Sequence, residues 1–210
     1  MIFKSNYYYS LVVVFGILVA SSNIGTFFHF KSINLLFNRI FNYVRLNFNN
    51  NMKSGPIFLI HVDADQNAFV LLKEILEGTN EVVDLKTIGG HQYEVLYHER
   101  DFIPGRLITE NIDLCARICS RAIIILTPAL LKSNWCRYEF TIADSKNKVL
   151  FVKMLLNDKD EQELNDLLAL PENSAIKTHL HAVTYLKWTG NEDDWQFWKW
   201  LVSILPRKES

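Results

Sequence analysis

The run Ala122-Ile123-Ile124-Ile125-Leu126 contains no polar residue and no polar–apolar alternation. A strand of this kind must be buried on both faces, which requires a sheet covered by helices on each side. Its surroundings agree. Residues 57–62 and 149–156 are further apolar strands, 93–97 alternates through Tyr93, Val95 and Tyr97, and 182–186 reads as a last strand. Helical stripes lie between them: Phe69, Leu72 and Leu76 behind an Asp65 N-cap, then Ile112, Cys115 and Cys119. Leu131, Trp135, Tyr138 and Ile142 are expected on one buried helix face. An acid-fronted helix over 160–170 stops at Pro171, and 195–205 turns Trp198, Leu201, Val202 and Leu205 inward. Residues 77–92, with three glycines, read as a long loop. Strand and helix in alternation imply a mainly parallel sheet with helices on both faces, an α/β sandwich of three layers.

Composition narrows the class. Of 210 residues, 49% are hydrophobic and 21% charged, a globular balance. A net charge of −1 supplies no basic field, so no nucleic-acid partner is expected. Cys115, Cys119 and Cys136 sit in helical patterns, as thiols do in a reduced compartment. Cys115 and Cys119 share a face, but no histidine or fourth thiol stands at ligand spacing, and no metal is expected.

The amino-terminal part is different. Residues 5–30 carry no Asp, Glu, Lys or Arg, have a continuously apolar centre at 11–20, and are flanked by Tyr7, Tyr8, Tyr9, Phe27, Phe28 and Phe30. About 20 such residues cross a bilayer, with tyrosines at its interfaces. The competing reading is a cleaved signal peptide, with Ala20-Ser21-Ser22 as the small residues. Lys31, Arg39, Arg45 and Lys53 follow without an acid as far as Val62, whereas only Lys4 precedes the span. The positive-inside rule then favours a single-pass anchor (or signal anchor) with the bulk of the chain cytoplasmic. Residues 31–54 form a basic juxtamembrane connector, either an amphipathic helix on anionic lipid or a plain tether.

Between the second strand and the next helix lies His98-Glu99-Arg100-Asp101-Phe102-Ile103-Pro104-Gly105, a charged loop stiffened by Pro104 and turned by Gly105. It is followed by Ser120 to Thr127, by Leu131-Lys132-Ser133-Asn134-Trp135-Cys136-Arg137-Tyr138-Glu139-Phe140, and late in the chain by Thr184 to Trp188 and Trp195-Gln196-Phe197-Trp198. These blocks, in this order over residues 56–206, resemble the TIR (Toll/interleukin-1 receptor) domain of Toll and Toll-like receptors. Arg100, Asp101, Phe102, Ile103, Pro104 and Gly105 look like that family's second box, and Phe197 and Trp198 like its third. The resemblance implies a flavodoxin-like fold with five strands over 55–207. It also implies homotypic TIR–TIR association through the loop, with Phe102, Ile103 and Pro104 as the exposed apolar contact and Arg100 and Asp101 setting partner choice by charge. Implied partners are other TIR domains, including those of death-domain adaptors of the myeloid differentiation primary-response type, with homo-oligomers on activation.

There is no phosphate-binding glycine loop and no nucleophile elbow. Glu139 is the one catalytic candidate. Trp135-Cys136-Arg137-Tyr138-Glu139 matches the Trp-Cys-x-x-Glu setting of TIR domains that cleave NAD, where a carboxylate could stabilise a ribosyl cation. NAD would then be a substrate, and no resident cofactor is expected. The structural alternative pairs Glu139 with Arg137 or Lys132. Asp63 and Asp65, at the end of the first strand, are expected to cap the following helix. The chain departs from the family at its first box, where Gly55-Pro56-Ile57-Phe58-Leu59-Ile60-His61-Val62 lacks the usual acid and serines. Nothing before the apolar span could form leucine-rich repeats, so ligand sensing by that route is not expected and a truncated, non-signalling decoy receptor is a further reading.

Overall fold

The computed structural model describes residues 55–154 and 157–206. Five strands form one sheet: β1 (Ile57–Ile60), β2 (Val95–Leu96), β3 (Arg121–Leu126), β4 (Val149–Met154) and β5 (Leu186–Trp188). Their order is β2-β1-β3-β4-β5 and every pairing is parallel. That is the flavodoxin-like order, with its switch point between β1 and β3. Ala122–Leu126 is fully buried at the centre, as its unbroken apolar run requires.

Eight helices surround the sheet among the described residues: α1 (Gln66–Glu77), α2 (His98–Asp101), α3 (Ile108–Ile118), α4 (Pro128–Lys132), α5 (Asn134–Asp144), α6 (Asp158–Leu168), α7 (Ser174–Ala182) and α8 (Trp195–Ile204). The period-2 alternation of each strand sorts them. Phe58, Ile60, Ala122, Ile124 and Phe151 point to a core shared with α3 to α7. Ile57, Leu59, Ile123, Ile125 and Val152 point to the opposite core, under α1 and α8. The three-layer sandwich is therefore present.

Several local expectations are corrected. The loop after β2 is not irregular throughout: its first four residues wind into α2, because the Asp101 carboxylate turns back to accept the Tyr97 backbone N–H at 3.0 Å. Asp65 precedes α1 but does not cap it; its carboxylate accepts the Thr127 hydroxyl at 2.7 Å. The helical stretch around Trp135 is two helices. Thr127 caps α4 through the Leu130 N–H, and Ser133 caps α5 through the Cys136 N–H, both at 3.2 Å. The break at Ser133 resets the phase, so α5 buries Cys136, Glu139, Phe140 and Ala143 and leaves Trp135 54% exposed. The last strand begins at Leu186, not 182, because residues 174–182 form α7, whose mixed polar sequence carries no clear apolar stripe. Among the described residues no helix is long and apolar enough to cross a membrane. The expected span at 5–30 and connector at 31–54 lie outside those residues.

Phe197 and Trp198 are core residues. They close a cluster with Trp188, at ring-centroid distances of 5.0 Å to Phe197 and 5.5 Å to Trp198. Both buried indoles donate to backbone carbonyls, Trp188 to Asn191 and Trp198 to Glu192. Trp198→Ala should therefore cost about 3–5 kcal/mol, whereas Trp135→Ala should cost under about 1 kcal/mol. Chemical denaturation of both variants checks this, and equal losses would show the α5 phase to be wrong.

Candidate functional site

The site gathers at the carboxyl end of β1, beside the switch point, where open parallel sheets bind ligands. Two parts meet there: a loop clamped at its base, and a cavity beneath it.

The base is an ion network. Arg100 donates to Glu77 at 2.8 Å, to both Asp101 oxygens at 3.2–3.3 Å, and to the Val95 carbonyl. Its guanidinium also lies over the Tyr97 ring, 4.6 Å from the centroid. Burial works against that charge, but the bonds to Glu77 and Asp101 outweigh it and raise the Arg100 pKa. Asp101 is only 2% exposed. Arg100 and Asp101, expected to set partner choice by charge, also join α1, β2 and α2 through this network.

The other side of the loop is held by Asn111, which is buried on α3. Its amide oxygen accepts the Ile103 N–H at 3.0 Å and its amide nitrogen donates to the Ile103 carbonyl at 3.3 Å. Phe102 and Ile103 consequently lie half-buried against the core rather than open to solvent. The exposed part is Pro104, Gly105 and the apolar pair Leu107 and Ile108, 67% and 46% exposed. Gly105 has φ of 84°, a left-handed conformation that glycine adopts without strain. Asn111 was not expected from the sequence, although an amide within the apolar phase of a helix is a signal for it.

The cavity measures about 330 Å³ and is lined by His61, Phe102, Ile108, Trp135, Cys136 and Glu139 among others. Loop residues and Glu139 are therefore brought together, whereas Phe197 and Trp198 are in the core on the opposite side of the sheet. Glu139 is 5% exposed and has no Arg137 or Lys132 partner: Arg137 bonds Leu131 and Asn134, and Lys132 bonds Glu163. Burial pushes Glu139 up to about 8; the Cys136 thiol opposes this slightly and the Glu99 charge adds to it. Burial likewise pushes Cys136 up to about 12, with Glu139 adding to it. At neutral pH the pair is uncharged, a carboxylic acid beside a thiol. The His61 ring stacks on Phe69 at 3.7 Å and 5°. Burial holds its pKa below the ordinary value, against the opposing charge of Glu99.

A doubly wound parallel fold with a clamped loop over a cavity at the end of β1 defines the class. The family pattern described as TIR domain matches residues 80–203, well over half of the chain, and the chain belongs to that family. Among curated proteins it resembles Protein toll of Drosophila melanogaster, 32% identical over 124 residues, covering 57% of this chain and 10% of that protein. It also resembles Toll-like receptor 2 type-2 of Gallus gallus, 28% identical over 120 residues, covering 54% of this chain and 14% of that protein. The chain thus spans only a small part of the length of these relatives. Among solved structures it matches the TIR domain of the Toll-related receptor TRR-2 of Hydra magnipapillata at 20% identity and a TM-score of 0.46, covering 72% of this chain and 98% of that one. The TIR domains of the activated Roq1 resistosome match at 14% identity and a TM-score of 0.49, covering 71% and 98%. The family match starts after β1 and α1, the stretch in which the first box departs from its usual sequence.

Because Glu139 titrates above its ordinary 4.5, the stability gained by keeping it protonated is complete below that value and is lost as pH rises to about 8. Glu139→Gln should therefore gain on the wild type across that window, by a few kcal/mol at its upper end, and stay level above it. Denaturation at stepped pH checks this; parallel wild-type and variant curves would mean that Glu139 is ionised in the folded state.

Proposed function

We propose that this chain is a membrane-anchored signalling module whose TIR domain faces the cytosol and transmits innate-immune signals by homotypic TIR–TIR association. The observation that carries the reading is the loop: a rigid base displays Pro104, Leu107 and Ile108 to solvent. Apolar side chains held on a fixed backbone lose little entropy on docking, which suits a protein contact. Trp135 stands across the cavity from Ile108 and extends the same apolar surface. Kinship with Toll and Toll-like receptor 2 supports the reading. The partners would be other copies of this domain on activation, and TIR domains of adaptors that carry a death domain. The uncharged span at 5–30 and the basic stretch after it support the anchor and the orientation.

Pro104→His and Leu107→Asp should each abolish co-precipitation with an adaptor TIR domain while leaving the melting temperature unchanged. Both positions are exposed, and Pro104 has no backbone donor to lose. Normal binding by both variants would reduce the loop to a turn. Protease protection on microsomes checks orientation: the domain should be cleaved from outside the vesicle, and protection in the lumen would overturn the anchor topology.

The position of Glu139 in the cavity favours one second reading, NAD cleavage. A carboxyl that holds its proton at neutral pH is poorly placed to stabilise a cation, so little nicotinamide should be released near pH 7. Release from NAD that Glu139→Ala abolishes would make this an enzyme.

A further inference from the structure

At the mouth of the cavity the fold brings His61 beside His98 and Glu99, 37 and 38 residues further along the chain. We propose that His61, His98 and Glu99 form a site for a divalent transition-metal ion, Zn²⁺ being the best fit, that ties the end of β1 to α2. His61 directly follows β1, while His98 and Glu99 open α2, so spacing along the chain does not reveal the group.

The geometry is that of a ligand set. Glu99 Oε1 lies 3.4 Å from His61 Nε2 and 3.4 Å from His98 Nε2. Two atoms bound tetrahedrally to zinc, each about 2.0–2.2 Å from it, are separated by about 3.3–3.5 Å. One ligand atom from each of the three residues lies within 4.8 Å of the others. The wider histidine–histidine separation would close by rotation of the His98 side chain, which is 37% exposed.

The second observation is His61 itself. Its side chain is fully buried, and neither ring nitrogen has a hydrogen-bond partner among the described residues. The Gln66 side chain is near enough to favour a protonated ring but lacks hydrogen-bond geometry. A buried imidazole normally finds a partner. Here the ring is held between Phe69 and His98, at centroid distances of 3.7 and 5.2 Å, with Nε2 facing the Glu99 carboxylate without a hydrogen bond.

A cation that draws on both imidazole lone pairs and on the carboxylate satisfies all three groups. Two nitrogen ligands select a transition metal over Mg²⁺ or Ca²⁺. Three protein ligands leave a fourth position for water, on the cavity side that His61 and His98 line. Occupancy would fix α2, and with it the Phe102–Leu107 loop, against β1.

The test uses the full chain in detergent, stripped with chelator and titrated with Zn²⁺ by calorimetry and with Co²⁺ by absorption. The expected result is one ion per chain, with the visible bands of tetrahedral Co²⁺ and no thiolate charge-transfer band. His98→Gln and Glu99→Gln, both at the surface, should each weaken binding about 100-fold or more and remove the rise in melting temperature that Zn²⁺ gives the wild type. His61→Phe, which keeps the stack on Phe69, should do the same. Absence of binding, a thiolate band, or affinity unchanged in His98→Gln and Glu99→Gln would overturn the proposal.

Discussion

Everything in this domain depends on burying β3 from both sides. Its run of Ala, Ile and Leu at 122–126, without a polar position, can neither face water nor form an edge. Parallel pairing with β1 and β4 follows, and parallel strands need crossovers long enough to hold helices. The helices then fall on opposite faces, and the segments leaving the strands collect at one end of the sheet. The clamped loop, the cavity and the histidine–glutamate cluster all lie at that end, where the segments that follow the strands meet.

The most charged part of the family's second box serves the fold. Arg100 reaches the end of α1 through Glu77, the backbone of β2 through Val95, and its own neighbour Asp101. Removing one partner from such a half-buried network leaves an uncompensated charge, which costs more than the pair contributes when intact. Loss of binding in an Arg100 or Asp101 variant would therefore report on loop geometry before it reported on a contact. The side chains that this framework leaves exposed are Pro104, Leu107 and Ile108.

How far the fold could be read from sequence depended on how many residues carried each signal. The β–α alternation and the two-faced burial of β3 rest on long apolar runs, and the sheet order agrees with them. Helix phase around Trp135 rested on four residues and failed, because one hydroxyl at Ser133 starts a new helix and shifts the buried face by a residue. The site divides in the same way. Arg100 to Gly105 and Glu139 were visible as motifs, and the cavity does bring Phe102 and Glu139 together. Asn111, His61 and Glu77 were not, since each acts through a partner 8 to 38 residues away that only the fold makes adjacent.

The loop and the cavity share walls, and this couples them. Phe102 and Ile108 line the cavity and also flank the exposed tip, while His98 belongs to both the cavity wall and α2. Anything that fills the cavity or binds at its mouth has to act on the side chains that set the tip's shape. Packed groups of this kind respond by shifting between discrete arrangements rather than by deforming smoothly. His61, which follows β1 in the altered first box, lines the same cavity as Phe102 and Ile108. A change at the strand end can in this way alter the packing beneath the loop without changing any residue of the loop itself.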